Sequence, residues 1–273
     1  MPPTNKIDDQ LRNSISSNKV AIATFMTTDY PEHNTFIDIT SKFCKLGVDI
    51  LEFGIPFSDP IAEGRTIQKT TFKVLQNGTT IASCFESIAL IRKMGYNTPI
   101  VIMGYYNPIL KFGLQTFTQK ANEVGVDGII VADLPVEESD YLRNLCNNNS
   151  IHLIQMLAPT STAERIKKTC AIASGFIYCV SLTGVTGARK NIGPEIEILV
   201  AKIRSHTNIP IMVGFGISNR EHVETIGGFA DGAIIGSALL DTIGESTGQE
   251  ATSKACDFVK TLINVPRKRI GVG

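Results

Sequence analysis

The sequence predicts an α/β protein built as one closed (β/α)8 TIM barrel over residues 1–273, with short flexible tails at both ends. Three observations predict it: eight Ile- and Val-rich runs, amphipathic stretches between them, and a short phrase that recurs where helix should hand over to strand. The runs lie at 20–26, 50–55, 100–105, 128–132, 151–157, 176–181, 209–214 and 232–235. They are mostly unbroken rather than alternating in polarity, as strands covered on both faces should be. In TIASCFESIALIRKMG (80–95), Ile81, Cys84, Phe85, Ile88 and Ile91 fall at helical spacing, and Gly95 supplies a stop. STAERIKKTCAIA (161–173) opens with Ser161 or Thr162 as a cap and Glu164 in the first turn, which suits the helix dipole. The recurring phrase reads LGVDILE at 46–52, VGVDGII at 124–130 and, more faintly, FADGAII at 229–235. Its glycine ends a helix in a left-handed conformation and its aspartate turns the chain into the next strand. About eight helices alternating with eight strands favour a barrel. A doubly wound open sheet is the alternative, because periodicity does not show closure.

Composition narrows the function. Twenty-six basic residues balance 26 acidic ones, so no global field draws the chain to nucleic acid or to an anionic membrane. A hydrophobic content of 43% supplies a large core, yet no apolar run reaches the roughly 20 residues that span a bilayer. Cys44, Cys84, Cys146, Cys170, Cys179 and Cys256 show no C-x-x-C spacing and read as buried reduced thiols. The first 19 residues lack the apolar core of a secretory signal, which makes the cytoplasm the expected compartment. His33, His152, His206 and His222 share no metal-binding spacing and are expected mostly at the surface or in loops; PRKR at 266–269 is expected as a solvated tail.

In a (β/α)8 barrel the chemistry gathers at the C-terminal ends of the strands. Glu52 stands near the end of the second run, between Leu51 and Phe53. If those two face the helices, Glu52 faces the barrel interior, where desolvation raises its pKa toward the range useful for proton transfer. Asp133, after the fourth run, is a second acid or a turn residue. Glycines follow the last three strands: Gly184 and Gly187, then Gly214 and Gly216, then Gly236 with Ser237. Each alone is as readily a turn, but together they match the place where this fold binds phosphate through backbone amides.

LEFGIPFSDPIAEGRTIQ, GYYNPIL, VADLPVEES, YCVSLTGVTGAR, VGFGIS and GAIIGSAL together resemble the α-subunit family of tryptophan synthase, from about residue 20 to 263. The resemblance implies a barrel that cleaves indole-3-glycerol phosphate to indole and glyceraldehyde 3-phosphate. It implies Glu52 as general acid and base, Tyr178 lining the site beside it, and Glu63 as the acid that holds the indole N–H. Phe25, Met103 and Tyr105 would pack around the ring, with Asp133 among the substrate-binding residues. The phosphate would rest on Gly187, Gly216, Gly236 and Ser237. No cofactor is implied for this chain, since the pyridoxal phosphate of the assembly belongs to the β subunit. The implied partner is that β subunit, in an αββα heterotetramer, facing loops 57–64 and 182–189.

Two places depart from the family pattern. Where it reads DPLADGPTIQ, this chain reads DPIAEGRTIQ, with Glu63 for the shorter acid and Arg65 for proline. Where it reads T-x-G-D-P, this chain has TTDYP at 27–31. The first change leaves two further readings open, a weakly catalytic allosteric partner and a stand-alone lyase. Other barrels acting on indole or sugar phosphates would want a lysine or an aspartate pair at these strand ends.

Overall fold

The structure, a computed structural model, describes residues 5–180, 193–214 and 216–268. Eight parallel strands, β1 (Ala21–Thr27), β2 (Ile50–Gly54), β3 (Ile100–Gly104), β4 (Gly128–Val131), β5 (His152–Leu157), β6 (Ile177–Val180), β7 (Ile211–Gly214) and β8 (Gly232–Ile235), pair in chain order. β8 returns to β1 in the register Ala21↔Gly232, so the sheet closes. Each strand lies within about two residues of its expected run. The helices outnumber the eight expected. They are α1 (Lys6–Ser16), α2 (His33–Leu46), α3 (Arg65–Gln76), α4 (Ile81–Lys93), α5 (Tyr106–Phe112), α6 (Leu114–Glu123), α7 (Asp140–Asn148), α8 (Ala163–Ile172), α9 (Pro194–Arg204), α10 (Arg220–Ile226), α11 (Ser237–Ile243) and α12 (Gly248–Leu262). The surplus comes from α1 and from crossovers split in two, as at Gly113, whose φ of +95° breaks α5 from α6.

The interior is filled from the strands' inward residues, among them Ala21, Ala23, Ile50, Val101, Ile130, Ile154 and Met212. Leu51 and Phe53 belong to the other layer, between strands and helices, together with Ile102, Leu153 and Val213. Alternation along β2 therefore sends Glu52 inward, opposite Val101.

The segment expected as an N-terminal tail is instead a plug. α1 opens with a capping box, Asn5 accepting from its first turn while Asp8 accepts from the Asn5 N–H. Its Ile7 and Leu11, both fully buried, close the barrel floor against the interior residues. Asp8 meets His152 Nε2 at 2.7 Å, so His152, on β5 and buried, is not the surface or loop residue expected. The other end is corrected in the same way. Lys19 bridges to Pro266, and Arg267 pairs with the buried Asp231 at 2.6 Å, so at least this part of the basic tail is anchored.

The recurring Gly-x-Asp phrase does more than turn the chain. Gly47 and Gly125 end their helical segments at φ +83° and +84°. The aspartates then reach sideways to the start of the preceding strand. Asp49 accepts the N–H of Ile22 at 2.7 Å, Asp127 that of Ile100 at 2.9 Å and Asp231 that of Ile211 at 2.8 Å. Each carboxylate thus satisfies a buried amide at the lower edge of the sheet that no strand neighbour reaches.

The TTDYP departure has a local explanation. Asp29 takes φ +62°, a left-handed conformation that aspartate tolerates better than most residues. Its buried carboxylate accepts from Ser87 Oγ at 2.8 Å and meets His33 Nδ1 at 3.0 Å. Hydrogen bonds to α4 and α2 therefore hold a turn for which glycine is the usual choice.

Candidate active site

A cavity of about 1080 Å3 opens at the C-terminal ends of the strands. Phe25, Glu52, Glu63, Met103, Asp133, Tyr178, Gly216, Gly236 and Ser237 all line it, so these expected site residues come together from seven different strands or the loops after them. Gly187 lies outside the described residues.

Glu52 is 1% exposed and its Oε1 has no hydrogen-bond partner. Burial, with nothing to offset it, pushes this carboxyl up to about 8. Tyr178, inward on β6, has its phenol raised well above its ordinary value by burial and then by the charge of Glu52. The ring fits only because position 214 is glycine. A Cβ there would stand 2.2 Å from Tyr178 Cε2 and 2.3 Å from its hydroxyl oxygen. Gly214→Ala is therefore expected to push the ring out of place, cutting turnover by about a hundredfold and stability by roughly 1–3 kcal/mol. An alanine variant with parental kcat and melting temperature would show that the ring has room to move.

Glu63 sits in the loop between β2 and α3. Burial raises its carboxyl to about 7, partly offset by a hydrogen bond from Thr71, and Oε2 is buried without a partner. The loop is held from beneath by Tyr105. That phenol oxygen accepts the Ala62 N–H at 3.1 Å, and its ring lies 5.3 Å from Phe57 at the loop's other end. Tyr105 is 2% exposed and is not among the lining residues, so it supports the acid-bearing loop instead of packing against a ligand ring. The same burial, with the charge of Glu63, pushes its phenol up to about 12.

Phe25 presents its ring to the cavity, and Gly54 leaves it space, since a Cβ at 54 would lie 2.7 Å from Cζ. Asp133 accepts the Tyr106 N–H at the start of α5 at 2.7 Å, as a turn residue would, while bordering the cavity. Gly216, at φ +68° with open space where a side chain would go, and Gly236 with Ser237, at the start of α11 and beside Phe25, also line the cavity. Backbone amides with no Cβ in the way suit an anion there.

His222, expected with the other histidines mostly at the surface or in loops, is instead 4% exposed on α10 and lines the cavity; its Nδ1 accepts the Ser218 N–H at 3.3 Å. The local signal was Asn219, whose side chain caps α10 by accepting the His222 N–H. Among the described residues no group of three or more His, Cys, Asp or Glu side chains could hold a metal ion.

This arrangement has close counterparts. The family model described as "Tryptophan synthase alpha chain" matches residues 11–265. The chain belongs to the tryptophan synthase alpha chain family. A tryptophan synthase alpha chain from Roseiflexus castenholzii is 41% identical over 94% of this chain and 99% of its own. A tryptophan synthase from Saccharomyces cerevisiae is 39% identical over 97% of this chain, which spans 38% of that longer protein. Among solved structures, a tryptophan synthase complex from Pyrococcus furiosus superposes with a TM-score of 0.81 at 34% identity, covering 89% of this chain and 97% of that one. The family's barrel is thus the fold read from the strand pattern, and the open-sheet alternative is set aside by the closed register of β8 on β1.

Proposed function

We propose that this chain is a lyase of tryptophan biosynthesis that cleaves indole-3-glycerol phosphate to indole and glyceraldehyde 3-phosphate. The observation that carries the reading is a pair of carboxyls, Glu52 and Glu63, each with an oxygen buried without a hydrogen-bond partner and each raised by burial, in one cavity that is also lined by Gly216, Gly236 and Ser237. Two buried carboxyls on one cavity can divide acid and base work between them. Near neutral pH Glu52 is protonated and can deliver its proton to indole C3. As the bond from C3 to the glycerol carbon breaks, the hydroxyl on that carbon becomes the aldehyde and its proton returns to Glu52. Glu63, ionised, accepts the indole N–H and stabilises the positive charge that develops on the ring. The proton balance closes within the two residues, and no step calls for a cofactor.

The experiment is indole release by the purified chain as a function of pH. Because Glu63 must be ionised and Glu52 protonated, kcat/KM should be bell-shaped, falling below about 7 and above about 8. No indole at any pH from about 5 to 9, with or without a β subunit, would overturn the reading.

A β subunit is the proposed partner. Ile61, 81% exposed at the tip of the loop that carries Glu63, offers an apolar contact where docking would also order the acid. The match of this chain to part of a longer yeast tryptophan synthase supports a unit that works beside another. Indole release measured with and without that subunit separates a strongly activated chain from a stand-alone lyase. Six unpaired cysteines suit a reducing compartment, and we place the reaction in the cytoplasm.

A further inference from the structure

The loop that departs from the family pattern puts a cation on the cavity's margin. Arg65 is the first residue of α3, and it lines the cavity together with Glu63, Gly64, Thr66 and Ile67. α3 is tied to α11 at this point by Thr66 Oγ1, which donates to Asp241 Oδ1 at 2.9 Å, and one turn further on Lys69 pairs with Glu245, just past the end of α11, at 2.9 Å. Gly236, Ser237 and Ala238, at the other end of α11, border the same cavity. The starts of α3 and α11 therefore border one cavity, and Thr66 and Asp241 tie the two helices together.

Of the neighbouring charges, Lys69 is engaged with Glu245, while Asp241, which lines the cavity, accepts from Thr66 and has no cationic partner among the described residues. Arg65 forms no ion pair or hydrogen bond with any described residue. Glu63 and Asp241 line the same cavity, yet neither pairs with Arg65, which is exposed and left open to an anion. Its planar fork matches phosphate oxygens in pairs.

We infer that Arg65 is a side-chain ligand for the substrate's phosphate, adding a positive charge to the backbone amides of Gly216, Gly236 and Ser237. The inference rests on the proposed reaction for the identity of the phosphate ester, but its test does not need turnover. Proline, the family's residue at this position, supplies no such charge. The chain would accordingly hold the phosphate end more tightly, and more salt-sensitively, than amides alone allow.

Calorimetric binding of glycerol 3-phosphate and of indole to the full chain tests this, with Arg65→Gln and Arg65→Lys beside the parent. Arg65→Gln should weaken glycerol 3-phosphate about tenfold and leave indole, which is neutral, unchanged; Arg65→Lys should recover much of the loss. The parent's affinity for glycerol 3-phosphate should fall with added salt more steeply than that of the glutamine variant. In turnover the glutamine variant should raise KM with little change in kcat. Equal glycerol 3-phosphate affinity in Arg65→Gln and parent would overturn the inference. So would an equal loss for indole, or a change confined to the lower limb of the pH profile, which would mean that Arg65 serves Glu63. Failure of the parent to release indole, with the binding difference intact, would instead count against the proposed reaction.

Discussion

Glu52→Gln is expected to fold as the parent does and to lose indole release by about 10²–10⁴-fold, because the amide can neither give nor take the proton. The same substitution should make the protein more stable in alkaline solution. The folded-state pKa of Glu52 is raised, to about 8 from 4.5, so the carboxyl stabilises the fold fully below its unfolded pKa. That contribution is lost as pH rises from about 4.5 through about 8, since only the unfolded chain can ionise freely across this window. Across it the loss is on the order of 3–5 kcal/mol. Glutamine has no proton to lose. The variant should therefore match the parent near pH 4.5 and exceed it above pH 8, in denaturant midpoint or melting temperature. Unchanged activity would remove Glu52 from the chemistry. A stability difference that is flat with pH would mean that its carboxyl is not buried in the neutral form.

Asp127→Ala should be the costliest change at the opposite end of the barrel. Asp127 accepts Arg92 Nη2 at 2.7 Å, the Ile100 amide at 2.9 Å and Lys6 Nζ at 2.9 Å. Arg92 is itself mostly buried. Burial pulls its guanidinium pKa down and the charge of Asp127 pulls it back. Alanine would strand a buried cation and a buried amide together, which costs about 3–5 kcal/mol and lowers the melting temperature by roughly 6–20 °C. Lys6 would also lose its partner and with it part of the hold on α1 over the barrel floor. The substrate cavity lies at the other ends of the strands, so kcat well below the melting temperature should stay near the parent's. A melting point within a degree or two of the parent's would show that Arg92 is held by its carbonyl partners Gly125, Tyr96 and Thr98 alone.

The residues whose meaning was local were legible in the chain itself. Alternation around Leu51 and Phe53 is enough to aim Glu52 inward, because successive side chains of a strand must point to opposite faces. Thr162 as a helix cap and Gly47 and Gly125 as helix stops are equally local, since each depends on the conformation of one residue and its near neighbours. Glycines after the last strands announced an anion end for the same reason: lacking a Cβ is a property of the residue.

What the tertiary structure decided involves groups far apart in sequence. Asp127 reads as a turn residue in VGVDGII, but its partner is the amide of Ile100, 27 residues earlier, brought alongside by strand pairing. Tyr105 reads as a ring for the substrate until the fold sets the β2–α3 loop on its hydroxyl. His152 and Arg267, polar residues in unremarkable contexts, acquire Asp8 and Asp231 as partners only when α1 plugs the floor and the C-terminal segment returns to it. Barrel closure is of the same kind. Ala21 meets Gly232 across almost the whole chain, and a repeating pattern of apolar runs is the same whether or not its first and last strands join.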